Sequence, residues 1–138
     1  MESMRRLIDE CDARLNRRSS AVRVAVLAGV IFIPAGLVKF VFHGWELNAF
    51  RSFGLPWPSA FELAAGVLEV VGGVLLLLRR AIVPAAGLLA VTMVVAITAS
   101  GIGHGDVVPS LTLAPALLAM LLYVLAAAVL DGPLVPKR

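Results

Sequence analysis

Residues 58–78 read PSAFELAAGVLEVVGGVLLLL, an apolar stretch long enough to cross a bilayer as one helix. Two carboxylates, Glu62 and Glu69, interrupt this stretch. At about 100° per residue, both share one narrow face of the helix with Gly66 and Gly73. Because a charge inside hydrocarbon is costly, this face is predicted to meet other helices and to carry function.

The composition is that of a membrane protein. Of the 138 residues, 60% are hydrophobic and 15% are charged, and the mean hydropathy is +0.96. These values predict one polytopic membrane domain. The net charge of +3 does not indicate nucleic-acid binding, because the basic residues flank apolar segments. A single cysteine, Cys11, excludes an internal disulfide, a Cys-x-x-Cys redox pair and a structural zinc site.

Four apolar segments predict an all-α fold, an antiparallel bundle of four transmembrane helices. The apolar residues before the first segment recur at helical spacing among charged residues, which predicts an amphipathic helix at the membrane surface. That helix is interpreted as a topogenic flank or as a docking site for a cytoplasmic partner. The predicted divisions are an N-terminal segment 1–20, a membrane domain 21–131 with spans at about 21–42, 58–78, 81–100 and 111–130, and a tail 132–138.

Basic residues predict the orientation. Arginines and lysines cluster in the N-terminal segment, at Arg79 and Arg80, and at the C-terminus, whereas the first connection has only Arg51 and the third has none. Both termini are therefore expected on the cytoplasmic side of the membrane. His43 and His104 are expected on the outer side, together with Asp106 and the aromatic residues of the first connection.

Depth counting predicts contacts between the buried polar groups. At 1.5 Å per residue, Lys39 and Glu62 both lie about 6 Å from the outer ends of their helices, so they are predicted to form an ion pair. Glu69 lies about 16 Å deep, near the midplane. Thr92 and Tyr123 fall at similar depth, and each is predicted to hydrogen-bond the Glu69 carboxyl group.

If Lys39 neutralises Glu62, Glu69 has no obvious countercharge, and desolvation favours its protonated form at neutral pH. Such a carboxyl group can relay protons, bind a quinone headgroup, or hold helices together by hydrogen bonds. All three readings stay open at this point. A site for a quinone or another lipid is accordingly hypothesised around Lys39, Glu62, Glu69, Thr92 and Tyr123.

Other polar residues carry weaker signals. His43 and His104 suggest a haem or metal site, but solvated histidines at helix ends are ordinary, and no metal site is predicted. Cys11 is interpreted as part of the amphipathic stripe, with redox chemistry or lipidation as the alternative. The glycine-rich turn 101–106 is not a phosphate loop, because no strand precedes it.

The ordered motifs resemble the DoxX family over about residues 21–131. In the first span, Gly29, Gly36 and Lys39 carry the resemblance. It continues through the Phe-Gly-Leu-Pro run at 53–56, the glycines of the second span with Glu69, and Met93 in the third. The remaining matching positions are Arg23, Phe32, Ala35, Ala65, Gly66, Gly72, Gly73 and the leucines at 75–78.

This resemblance implies a small four-helix bacterial membrane protein associated with redox assemblies, including thiosulfate–quinone oxidoreduction and oxidative-stress complexes with soluble enzyme partners. It implies no catalytic residues. The expected function is a membrane subunit or anchor of a redox complex, more an accessory than a catalytic subunit. Quinone is the expected cofactor, and the expected partners are the bilayer, a soluble enzyme on the cytoplasmic face and a second copy of the chain. The alternatives are a scaffold or assembly factor and a small proton-coupled carrier, which the absence of a repeat disfavours.

Overall fold

The computed structural model describes residues 1–52, 54, 56–103 and 110–130, without the side chains at 45, 46, 49 and 101. These residues are almost entirely helical and contain no strand, which confirms the all-α prediction. In chain order the helices are α1 (Glu2–Arg17), α2 (Ser19–Val41), α3 (His43–Ser52), α4 (Pro58–Leu77), α5 (Ile82–Val95, continued by a π-helical segment Ala96–Ile102) and α6 (Leu113–Leu130).

Four of these helices are long and apolar enough to cross a membrane: Ser19–Val41, Pro58–Leu77, Ile82–Ser100 and Leu113–Leu130. Each buries one face and exposes large aliphatic side chains on the other, such as Val30, Val67, Val91 and Leu122. That distribution suits helices surrounded by lipid, where close packing rather than hydrophobicity holds helices together. The chain is therefore a multi-pass membrane protein.

The bundle is closed: α2 packs against α4, α4 against α5, α5 against α6, and α6 against α2. The contact between α2 and α4 is the most extensive, and glycines make it possible. A Cβ atom on Gly29 would lie 2.6 Å from the carbonyl oxygen of Gly73, and one on Gly36 would lie 2.8 Å from that of Gly66. These contacts fix the antiparallel register of α2 and α4.

We call the end of the bundle that holds His43 and Pro58 the histidine end, and the opposite end, with Ser19 and Arg79, the arginine end. At the histidine end, the first connection contains the helix α3, which the sequence did not predict. The four predicted spans left this connection without an assigned helix, but the segment holds good helix formers, such as Leu47 and Arg51.

At the arginine end, α1 packs against α2, α5 and α6. Leu15 is fully buried there, and the carboxylate of Asp12 accepts hydrogen bonds from the backbone amides of Ala81 and Ile82, the latter at 2.9 Å. Asp12 thus caps α5 from a different helix. The cap lies at a tight turn in which Arg79 and Ala81 both have positive φ, 57° and 48°, a conformation that non-glycine residues adopt at a cost. Asp12 is buried because its carboxylate accepts the hydrogen bonds of the two backbone amides that end this turn.

Candidate functional site

Lys39 and Glu69 form a buried ion pair between α2 and α4. The Lys39 Nζ atom donates to Glu69 Oε2 at 2.9 Å. Only 17% of the lysine side chain and 6% of the glutamate side chain are exposed. Both residues lie within helices that can span the membrane, so the pair places two opposite charges inside the bundle.

His43 and Glu62 form a second pair, at the histidine end. The Nδ1 atom of His43 lies 2.9 Å from both carboxylate oxygens of Glu62, and its hydrogen bond goes to Oε1. Glu62 is fully buried, whereas 45% of the histidine side chain is exposed. Within the described part of the chain, Glu62 Oε2 is a buried oxygen atom with no hydrogen-bond partner.

The predicted Lys39–Glu62 ion pair is wrong, although the two residues do lie at similar depth. The register set by the glycine contacts places Lys39 level with Leu63, and Glu69 about 9 Å further along the axis. Helical side chains lean toward the N-terminus of their own helix. Because α2 and α4 are antiparallel, the side chain of Lys39 leans toward the arginine end, whereas those of Glu62 and Glu69 lean toward the histidine end. Lys39 and Glu69 therefore lean toward each other, and Glu62 leans away from Lys39. Depth counted at Cα therefore selected the wrong carboxylate.

The prediction that Glu69 lacks a countercharge is wrong for the same reason. Glu69 has the ammonium group of Lys39 at 2.9 Å, so its ionised form is neutralised in place. The role predicted for Glu69, that of a buried carboxylate without a permanent countercharge, belongs instead to Glu62. It is the fully buried carboxylate, and the described group facing it is a histidine, which is charged only when protonated.

Two further candidates lie apart from these pairs. The hydroxyl group of Thr92 donates to the Leu89 carbonyl oxygen of its own helix at 2.8 Å. The hydroxyl group of Tyr123 donates to Ser20 Oγ at 3.1 Å, near the arginine end. Each hydroxyl has one hydrogen to donate, so the predicted donation from Thr92 and Tyr123 to Glu69 is not made.

The histidine and cysteine hypotheses have different outcomes. His104 and Asp106 lie outside the described residues, as do residue 131, the predicted end of the membrane domain, and the predicted tail 132–138. Among the residues that were described, no group of three histidine, cysteine or acidic side chains is placed to hold a metal ion. Cys11 is partly buried in α1 with a free thiol.

Two residues that now matter were not among the predicted site residues. His43 could have been found, because it falls in the same sector of the helical wheel as Lys39 and Gly36, four residues beyond the lysine. Asp12 also carried a signal, since it lies at i+4 from Ile8 and i−3 from Leu15 on the stripe that α1 turns toward the bundle. A carboxylate on an otherwise apolar stripe indicates a buried acceptor.

Fold and site together define a class: a small multi-pass membrane protein whose four-helix bundle buries a lysine–glutamate ion pair between its first two spans, with a histidine–glutamate pair at the end of the second span. The sequence model of the DoxX family matches residues 21–102, which cover the first three spans. Because the match covers more than half of the chain, the protein belongs to the DoxX family. No curated protein and no solved structure matches this chain.

Proposed function

We propose that this protein is the integral membrane subunit or anchor of a redox complex, and that a quinone-like headgroup binds between α2 and α4 at the histidine end. One observation carries the proposal. Two ionisable pairs lie along α4: Lys39 of α2 pairs with Glu69, and His43 of α3 pairs with the fully buried Glu62.

Helix packing alone does not require these charges. The glycine contacts at Gly29 and Gly36 already bring the backbones of α2 and α4 together. Replacing a buried ion pair with well-packed apolar residues is often neutral or stabilising, so a buried pair is weak evidence for a stabilising role. Intramembrane charges that face a bundle interior more often belong to ligand or proton sites.

The chemistry of the pairs suits a quinone. Quinone carbonyl oxygens accept hydrogen bonds, and the ammonium group of Lys39 has three N–H donors, of which the contact with Glu69 uses one. The imidazole ring of His43 is partly exposed at the histidine end, where it can contact a bound headgroup. The apolar ring and tail would lie along the lipid-facing sides of α2 and α4, where Val67 and Leu37 are exposed.

The arrangement in the membrane is part of the proposal. The distribution of basic residues supports an orientation with the arginine end and both termini in the cytoplasm and the histidine end on the outer side. A soluble redox partner would then meet the protein at the arginine end, through α1. The association of DoxX-like proteins with redox assemblies, which the sequence resemblance implies, supports this reading.

A quinone-binding experiment tests the proposal. The full-length chain in lipid nanodiscs is titrated with a short-chain ubiquinone analogue, and the Kd is compared between the native protein and Glu69→Gln. We expect the loss of the charged pair to weaken binding about 10-fold or more. Thr98→Val is the matched control, because Thr98 is exposed and its hydroxyl bonds only within its own helix among the described residues. Absence of binding to the native protein would refute the proposal.

A second candidate function, a scaffold that recruits a soluble protein, has one observation in its favour. Met1 and the first half of α1, with Met4 and Leu7, expose large apolar side chains, although the second half of α1 is packed on the bundle. This exposed apolar strip suits either the membrane surface or a protein partner.

Leu7→Gln tests the scaffold function without disturbing the cap at Asp12. Proteins that co-purify with the native chain are identified, and the strongest is titrated against purified native and variant protein. A scaffold that works through α1 predicts a loss of affinity in Leu7→Gln, whereas an unchanged Kd would contradict it. Asp9→Ala, on the exposed polar part of α1, is the matched control.

A further inference from the structure

The buried carboxylate of Glu62 has one satisfied and one unsatisfied oxygen atom. Oε1 shares the hydrogen bond with His43 Nδ1, while Oε2, which lies 2.9 Å from the same nitrogen atom, is buried and has no hydrogen-bond partner of its own among the residues that the structure describes. An unpaired buried acceptor costs free energy, and a hydrogen-bond donor from a ligand removes that cost. The free position on Glu62 therefore calls for a ligand that donates a hydrogen bond.

His43, which contacts Glu62, can also accept a hydrogen bond from a ligand. In the tautomer in which Nδ1 donates to the Glu62 carboxylate, Nε2 keeps a lone pair and can accept a hydrogen bond. The ring is partly exposed, so a ligand at the histidine end can reach it. This arrangement is a carboxylate–imidazole dyad, in which the carboxylate orients the ring and balances the charge that the ring acquires on taking up a proton.

We infer that the His43–Glu62 dyad binds the hydroxyl group of a hydroquinone and accepts its proton, so that the site prefers the reduced form of the quinone. This inference rests on the proposed quinone site and names the form of the ligand. Both free positions of the dyad, Glu62 Oε2 and His43 Nε2, are acceptors. A hydroquinone has two O–H donors, whereas an oxidised quinone has only carbonyl acceptors.

The proton transfer is balanced without a further reactant. The O–H bond of the hydroquinone breaks, a bond between that hydrogen and His43 Nε2 forms, and the electron pair stays on the oxygen atom. The product is a phenolate and an imidazolium, and the adjacent Glu62 carboxylate balances the positive charge of the imidazolium. No electron moves in this step.

Glu62→Gln is the sharpest test. The amide of glutamine keeps an acceptor for His43 Nδ1 but replaces the other acceptor with an N–H₂ donor. The full-length chain in nanodiscs is titrated anaerobically with the reduced and the oxidised forms of one short-chain ubiquinone analogue. We expect the native protein to bind the reduced form about 10-fold more tightly, and Glu62→Gln to lose or reverse that preference.

His43→Asn is the companion variant, because its amide can still donate to Glu62 but has no group equivalent to Nε2. It should also lose the preference for the reduced form, while Glu69→Gln should weaken both forms alike. Nitrogen-15 NMR of labelled histidine gives a readout independent of binding. The ligand-free native protein should show Nε2 without a hydrogen, and the reduced ligand should protonate it.

The outcomes separate the two ideas. Equal affinity of the native protein for both forms, changed equally by Glu62→Gln, would overturn the dyad and leave the quinone site standing. Absence of binding of either form would refute the quinone site and the dyad together. Thermal unfolding of each variant, with Thr98→Val as control, verifies that the change in preference comes from a folded protein.

Discussion

Gly29→Ala tests the glycine contact that sets the register of α2 and α4. The added Cβ atom would lie 2.6 Å from the carbonyl oxygen of Gly73 and 3.0 Å from the amide nitrogen of Leu77. Ordinary contact begins at 3.4 Å, so the first distance is short by about 0.8 Å. Both neighbouring atoms belong to the backbone and cannot rotate away. The helices must therefore separate, and overpacking of this kind costs about 1–3 kcal/mol.

The assay is thermal or denaturant unfolding of the full chain in nanodiscs. Gly87→Ala is the matched control, since Gly87 also lies within a membrane helix but a Cβ atom there meets nothing within 4 Å. We expect Gly29→Ala to lower the free energy of unfolding by about 1–3 kcal/mol, and Gly87→Ala to leave it unchanged or raise it. Equal stability of Gly29→Ala and the native protein would mean that α2 and α4 do not approach as closely as described.

Other variants test the buried polar contacts and the core. Asp12→Ala removes the cap of α5 and should cost about 0.5–2 kcal/mol in thermal unfolding, while Asp9→Ala on the exposed side should not. Lys39→Met alone should cost about 3–5 kcal/mol, and adding Glu69→Leu should restore most of it; a double variant no more stable than the single one would count against the pairing. Phe32→Ala, in the fully buried centre of α2, should cost about 3–5 kcal/mol by the same measurement.

The sequence predicted the spans because hydrophobicity and length determine them almost alone. The predicted segments differ from the observed helices by a few residues at their ends, for example 81–100 against Ile82–Ser100. Helical spacing also placed Lys39 and Glu69 on faces that meet, because that property depends only on the residues of each helix. Both predictions need only the residues of one helix at a time.

The partners of the charged groups could not be predicted in this way. Choosing between Glu62 and Glu69 for Lys39 requires the register of two helices and the direction in which each side chain leans. Cα depth approximates the register of the two helices, but it carries no information about the direction in which the side chains lean. The hydrogen bond by which Asp12 caps α5 at Ile82 could not be predicted either, because it joins residues 70 positions apart in the sequence.

The lean of the side chains has a general consequence for reading membrane sequences. In an antiparallel helix pair, two residues at equal depth lean in opposite directions, so a long cation and a carboxylate meet when they are offset along the axis. The Lys39–Glu69 pair has an offset of about 9 Å, which two extended side chains can span. Pairing charges by equal depth therefore selects a carboxylate at the wrong height. The correct partner is the carboxylate that lies closer to the N-terminus of the helix carrying the cation.

The position of α1 bears on how this protein should be dissected. The family match begins at residue 21, after α1, yet α1 holds the turn between α4 and α5 through Asp12 and buries Leu15 against the bundle. Removal of α1 would therefore change the stability of the third span as well as any surface that a partner uses. Point variants on its exposed strip, such as Leu7→Gln, separate these two effects, because they leave the cap and the buried leucine in place.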